Sequence, residues 1–427
     1  MADVKPFRAV RYNTSKVDLK KVIMPPYDII RDVNEYYQRD PYNIVRIDKA
    51  REENREAPGI DKYARSGLAV RRWLEEGILL RDEKPLFYVY EQEYFMPSGE
   101  KKSMISFYAS VKLEEFEKKI VLPHERTHSG PKADRLMLMR ATNANTSPIL
   151  SLYFDPEKNV HEILEKYRTS CAPLMQCVND DGLRHSLWAI SDPAEQEKIG
   201  FYMKSCQLFI ADGHHRYETA LNYRDEMRAK ENSSGERPYD RIMMVLISME
   251  HAGTSILPTH RLMKKFRRLD FAEDTAVKSF FKVRKVGLET VKKAMTAEDC
   301  GKIIAACCRD GGYIMELKQD AYDKLLESAP RIREYYMLSV SILHYLLFEN
   351  ALKMQDKEIL ENIDYTQDIE EAVMAPAKGM CEASFLVQPA TVEEVKVISL
   401  NNEVMPQKST YFLPKLATGF MINLLEQ

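Results

Sequence analysis

The sequence predicts a mixed α/β fold, and three observations predict it. Apolar residues alternate with polar ones in "PLFYVYEQEYF" and "MISFYASVKL", the period of a half-buried strand. They recur near helical spacing in "DKYARSGLAVRRWLEE", at Tyr63, Leu68, Val70, Trp73 and Leu74. The two patterns then alternate along the middle of the chain, the order expected of helices packed on a sheet.

The first third opens with extended "PFRAVRYN" and "VIMPPYDII", where Pro25 and Pro26 exclude a helix. After the helix at 61–76, the two alternating stretches flank "MPSGE", which predicts a hairpin turning through Pro97 and Gly99. In the middle third, "SPILSLYF", "RHSLWAIS", "CQLFIADG" and "RIMMVLISM" read as strands, and "VHEILEKYR" and "EQEKIGFYMKS" as helices. A further helix is expected from Arg216 to about Ala229. The strand before it and the apolar strand after it suggest a βαβ unit with a parallel pair. The last third alternates again, through "RRLDFAEDTAVKSFFKV", "YIMELKQDAYDKLL", the long helix "YMLSVSILHYLLFENAL" and "ASFLVQPATVEEVKVISLN". Three regions are expected: an N-terminal α+β region over 1–115, a central α/β core over 116–265 and a C-terminal α/β region over 266–427.

Composition narrows the function. With 427 residues, 44% hydrophobic and 30% charged, the chain can bury a large core. A net charge of -3 offers no basic surface for nucleic acid. The start "MADVKPFRAVRYNTSK" has no apolar run of a signal peptide, and no stretch is long enough to span a bilayer. The seven cysteines are dispersed without a C-x-x-C, which predicts a reduced, cytoplasmic protein.

Two segments carry chemistry. In "LFIADGHHRYETAL" a strand ends at Ala211, Asp212 and Gly213 turn, and a helix begins. Unpaired first-turn N–H groups at the positive end of the helix dipole suit an anion, and His214, His215 and Arg216 add donors there. Basic residues in a first turn oppose the dipole, so the placement calls for a bound anion or for Asp212 as compensation. The second segment, "LPHERTHSGPKADR", holds a dense set of titratable groups: His124, Glu125, Arg126, Lys132, Asp134 and Arg135. Its His-Glu-x-x-His pattern suggests a zinc protease, but Pro123 before it and Ser129-Gly130-Pro131 after it leave too little helix for both histidines to share a face. Thr259, His260 and Arg261 in "LPTHRLMKK" repeat the basic theme, and a parallel strand pair would bring them to the same cleft as Asp212–Arg216. The bland readings are a solvated loop for 122–135, a surface ion pair for Arg261, and core positions for Met243, Met244, Trp73, Trp188 and a hydrogen-bonded His344.

The stretches "MPPYDII", "DPYNIVRI", "PHERTHSGPKADRL", "NTSPILSLY", "ADGHHRYETAL", "LPTHRL" and "MPQKSTYFLPKL" together resemble a widespread bacterial and archaeal family long labelled a domain of unknown function. The "DGHHR" segment also resembles the phosphate-binding turn of the ParB and sulfiredoxin-like superfamily, which includes kinases of free serine. That resemblance implies a ParB/sulfiredoxin-like core with added N- and C-terminal elements. It also implies an ATP-dependent kinase of free L-serine giving O-phosphoserine, with ADP or pyrophosphate as other donors. Gly213, His214, His215 and Arg216 would then hold the phosphates, Asp212 would help to place Mg²⁺, and Glu125 would accept the hydroxyl proton. His124, Arg126, Thr127, Lys132, Asp134, Arg135, His260 and Arg261, with Lys408, Ser409 and Thr410 near the C-terminus, would hold the substrate. The partners implied are a nucleotide and an amino acid, without nucleic acid or membrane and with homodimerisation left open. The alternative is a nucleotide- or phosphate-binding regulator without turnover. A DNA-binding or nuclease role fits the acidic balance poorly.

Overall fold

The structure, a computed structural model, describes residues 1–52, 59–125, 127, 129–232, 234–251, 253–266, 269–296, 303–328 and 331–426, with the side chains at 129, 328, 356 and 360 left aside. The fold is mixed α/β. The chain divides into two compact units. The first joins Met1–Pro123, Thr127–Ser255 and Pro414–Gln427; the second joins His124–Arg126 and Ile256–Leu413.

The first unit is built on a nine-stranded sheet. Its strands are β1 (Val4–Lys5), β2 (Phe87–Phe95), β3 (Lys101–Lys112), β4 (Val121–Leu122), β5 (Ile149–Tyr153), β6 (Met175–Val178), β7 (Arg184–Ile190), β8 (Leu208–Asp212) and β9 (Arg241–Ser248). They run in the order β4-β8-β5-β9-β3-β2-β7-β6, with β1 also on β3. The expected hairpin is β2–β3, paired from Tyr88↔Tyr108 to Phe95↔Lys101. Gly99 takes φ +86° in its turn, a conformation that a Cβ makes costly.

The helices are α1 (Lys62–Glu75), α2 (Ser129–Thr142), α3 (Asn159–Ser170), α4 (Pro193–Met203) and α5 (His214–Glu231), and α1, α3, α4 and α5 follow the sequence pattern. Their starts are chemically explicit. Asp61 accepts from the N–H groups of Tyr63 and Ala64 at α1, and Asp192 from Ala194 at α4, where Pro193 occupies the first turn. Asp155 accepts from Asn159, Val160 and His161 at the start of α3. Val160, Ile163, Leu164, Ile199, Met203, Tyr217 and Ala220 from α3, α4 and α5 pack with Phe87, Val89, Phe107 and Met244 of the sheet in one core. Each fully buried aliphatic side chain of this kind contributes about 1.5–3 kcal/mol. Met243, Met244, Trp73 and Trp188 are buried packing residues, as expected.

One expectation fails. Strands β8 and β9 do not form a parallel pair, because β5 lies between them. β5 is antiparallel to β8 and parallel to β9, so β8 and β9 run in opposite senses. A local strand–helix–strand pattern does not encode which earlier strand inserts between the two.

The second unit carries a six-stranded sheet. Its strands β10 (His260–Met263), β11 (Phe281–Val286), β12 (Ile303–Cys308), β13 (Gly311–Leu317), β14 (Ile363–Thr366) and β15 (Ala383–Leu386) lie in the order β11-β13-β12-β15-β10-β14, and every pair is antiparallel. The apolar stretch from Tyr336 becomes a 3-10 turn, a short α segment and a π-helix over Ile342–Ala351. His344 lies there at 5.4 Å from the Phe348 ring, and its Nε2 has no hydrogen-bond partner, contrary to the expectation of a hydrogen-bonded core histidine. No described helix is long and apolar enough to cross a membrane.

Candidate functional site

In the first unit, β8 delivers Asp212 to its end and Gly213 turns the chain into α5. Gly213 has φ +96°, and a Cβ there would stand 3.0 Å from Arg216 Nε. Both facts require glycine. Because Gly213 carries no side chain, α5 starts without the side-chain cap that Asp61 and Asp192 give α1 and α4. The first turn of α5 carries the positive end of the helix dipole, which favours an anion.

The charges around this turn are arranged on Asp212. Arg216 Nη2 donates to Asp212 Oδ2 at 2.7 Å, and Lys415 Nζ donates to Oδ1 at 2.8 Å. Arg216 Nη1 also donates to the carbonyl of Pro148. Burial pushes the Asp212 carboxyl up, but Lys415 and Arg216 outweigh it and hold the group well below the usual carboxylate range. Two cations thus share one carboxylate at the helix start. Lys415 was missed by sequence reasoning, although "LPKL" stood at the end of a quoted motif. It is 203 residues from Asp212, and only folding brings the two together.

A second carboxylate missed in the sequence is Glu218, one helical turn after His214. Thr127 Oγ1 and Lys132 Nζ both donate to Glu218 Oε2 at 2.7 Å. The spacing from His214 was the signal available, since residues four apart share a helix face. Asp134 and Arg135 of α2 belong to this unit too. Arg135 Nε and Nη2 donate to Asp134 Oδ2 at 3.0 and 2.6 Å, and Tyr63 Oη donates to Asp134 Oδ1 at 2.8 Å. Burial raises the Asp134 carboxyl, and Arg135, Tyr63 and Lys62 reverse that, leaving it at about 2. Tyr27 of the "PPYD" stretch lies in the field of Arg216 and Arg135, and burial pushes its phenol up against them. The expected site residues Thr127, Lys132, Asp134, Arg135 and Asp212–Arg216 are thus all in the first unit.

The remaining ones are in the second unit. His124 and Glu125 are extended: Glu125 bridges Met405 in parallel register, and the Met405 N–H donates to the His124 carbonyl at 2.8 Å. A zincin needs these residues on a helix, and α2 begins only at Ser129. Arg126 and His128 lie outside the described residues. Glu125 accepts the backbone N–H of Lys408, a residue at φ +54°. Arg261 Nη2 donates to the carbonyls of Gln407 and Lys408 at 3.1 and 3.2 Å. His124 Nε2 lies 2.8 Å from Thr410 Oγ1, and Ser409 Oγ donates to the Pro406 carbonyl. Arg261, expected to contact substrate with a surface ion pair as the bland alternative, is fully buried at 0% exposure, which excludes the surface pair. Burial pushes its guanidinium down to about 10, and Tyr365 and Glu125 work against that shift. Burial likewise holds His260 at about 4.

Asp212 fits a metal poorly, because each of its oxygens already accepts from a cation. Among the described residues no group of three His, Cys, Asp or Glu is placed to hold a metal ion.

A family described as "Protein of unknown function (DUF1015)" matches residues 4–346. The chain belongs to this family. No curated protein matches it. Among solved structures, this DUF1015 chain is similar to a free serine kinase in complex with AMP, at 13% identity and a TM-score of 0.35, covering 72% of this chain and 87% of that one. It is similar to a conserved hypothetical protein from Pyrococcus furiosus at 14% identity and a TM-score of 0.35, covering 75% and 95%. It is also similar to SbnI with C-terminal truncation from Staphylococcus aureus, at 10% identity and a TM-score of 0.35, covering 74% and 87%. Likenesses of this size place no chemistry on the chain.

Proposed function

We propose that this DUF1015 chain is a small-molecule kinase, moving a phosphoryl group from a nucleotide, ATP in the first instance, to the hydroxyl of free L-serine. The observation that carries the reading is the turn at Gly213, where the positive end of a helix dipole meets two cations sharing one carboxylate. Phosphoryl transfer asks for neutralised charge and correct position more than for covalent chemistry. In this reading the amides of His214, His215 and Arg216 bind phosphate oxygens. Arg216 and Lys415 supply the positive charge, and Asp212 holds both side chains in place. The resemblance of "DGHHR" to a phosphate-binding turn supports the same assignment. Glu125 keeps the proposed role of accepting the hydroxyl proton, with His124, Thr127, Lys132, His260, Lys408, Ser409 and Thr410 as candidate contacts of the substrate.

The test is direct. The full chain is incubated with L-serine and ATP, ADP or pyrophosphate, and O-phosphoserine is sought by mass spectrometry. Thermal shift follows nucleotide binding in parallel. Glu125→Gln should abolish product while sparing the nucleotide shift. Absence of any nucleotide shift in the parent chain overturns the reading.

A nucleotide-binding regulator without turnover is favoured by one observation. Glu125 already accepts the Lys408 amide and offsets the buried charge of Arg261, which are structural duties. A nucleotide shift without product would select it.

A further inference from the structure

We propose that Arg261 is a positioning residue for Glu125, acting through the one peptide unit that joins Gln407 to Lys408. All four residues belong to the second unit. The Gln407 carbonyl of that peptide accepts from Arg261 Nη2 at 3.1 Å, and its Lys408 N–H donates to Glu125 Oε1. A guanidinium and a carboxylate are thus joined across a single amide.

Arg261 lies in β10 at 0% exposure, so it cannot meet a ligand from solvent. Nη1 donates to the Thr259 carbonyl, Nη2 also donates to the Lys408 carbonyl at 3.2 Å, and Cζ stands 5.6 Å from the centroid of the Tyr365 ring. These partners are all neutral. A buried guanidinium is costly without a counter-charge, which gives weight to the anion one amide away. The other titratable groups nearby do not supply it. Burial holds His260 at about 4 and His344 at about 3, so both are neutral at pH 7. Burial raises the Tyr365 phenol, which is neutral as well. Asp364 acts on Tyr365 and is paired with Lys264 at 2.8 Å, and Asp368 acts on His260. Glu125 is the carboxylate that acts on Arg261 itself. The Lys408 side chain is exposed, and His124, next to Glu125, is engaged with Thr410.

The peptide is held by its partners against its own preference. Lys408 takes φ +54°, a region that side chains disfavour. Such a conformation persists where the surroundings fix it, here Arg261 on the carbonyls of Gln407 and Lys408 and Glu125 on the Lys408 amide. The hydrogen bonds on the shared peptide reinforce each other, since a carbonyl drawn to a guanidinium makes its N–H a stronger donor. That N–H fixes one Glu125 oxygen and, with the guanidinium behind it, favours the ionised carboxylate. A general base needs both before it accepts a proton.

The catalytic consequence rests on the phosphotransferase reading; the link between Arg261 and Glu125 does not. The full chain is prepared with isotopically labelled lysine, and the Lys408 amide is assigned by its loss in Lys408→Arg. Its proton shift is then followed by NMR from about pH 8 to about pH 4.5. Glu125→Gln should abolish the titration. Arg261→Met should raise the midpoint by about one pH unit or more, and Arg261→Lys, which keeps the charge without the two-point grip, by about half as much. A purely structural role lowers stability and leaves the midpoint in place. If Arg261→Met does not fold, Arg261→Lys decides. Where O-phosphoserine is formed, the acid limb of kcat should move by the same amount with the nucleotide KM unchanged. A shifted titration without product ends the kinase reading and keeps the link. An unshifted midpoint in the Arg261 variants, or a Lys408 amide indifferent to Glu125→Gln, overturns the link whether or not product is formed.

Discussion

Lys415 Nζ lies 2.8 Å from Asp212 Oδ1, and Arg216 Nη2 lies 2.7 Å from Oδ2. The carboxylate that ends β8 is therefore shared between a residue one helical turn away and one from the last segment of the chain. This arrangement holds two cations at an uncapped helix start without spending either on an exposed contact, since the side chains of Arg216 and Lys415 are only 10% and 16% exposed.

Asp212→Asn separates an organising carboxylate from a metal ligand. The amide keeps the shape and removes the negative charge that Arg216 and Lys415 share. Inorganic phosphate should then bind several-fold more tightly in the absence of Mg²⁺, while stability falls by about 1–3 kcal/mol. Calorimetry and urea denaturation read the two effects. A metal-ligand role predicts the opposite, a loss of phosphate binding seen only with Mg²⁺.

Gly213→Ala forces a Cβ into the left-handed region and to within 3.0 Å of Arg216 Nε. The strain is about 1–2 kcal/mol, and the Arg216 guanidinium must shift slightly against Asp212. Both a lowered urea midpoint and a lost nucleotide shift are expected. Unchanged nucleotide binding would show that the turn plays no part in it.

Acid should destabilise the chain in two windows. Burial holds His185 and His260 at about 4 and His344 at about 3, all below the ordinary value of 6.5. Their neutral forms stabilise the fold fully above pH 6.5, and that contribution is lost as pH falls towards 4. Asp134, held at about 2 against an ordinary 3.8, contributes stability that is lost only below about pH 4. Denaturation midpoints across pH should show the first slope flattened in His344→Phe and the second in Asp134→Asn. Parallel profiles would refute the assignment.

Arg261→Met removes the donor to the carbonyls of Gln407 and Lys408 and leaves the Glu125 carboxylate without its buried partner charge. A loss of about 3 kcal/mol is expected. Amide exchange should accelerate first over residues 405–410, where the Lys408 N–H is held by Glu125. Uniform acceleration across the second unit would instead point to a general packing defect.

The sequence by itself determined the local pieces. The alternation around "MPSGE" made the β2–β3 hairpin, the apolar spacing over 61–76 made α1, and "ADGHHR" made a strand, a glycine turn and a helix. These rest on contacts within a few residues, which residue spacing encodes. Tertiary structure alone decided that β5 lies between β8 and β9, that "HERT" is divided after Arg126, and that Lys415 reaches Asp212. It also decided that Arg261, a candidate substrate contact in the sequence, is fully buried. Such outcomes depend on closing loops of up to hundreds of residues, and the closed contact leaves no periodic trace in the chain between its ends.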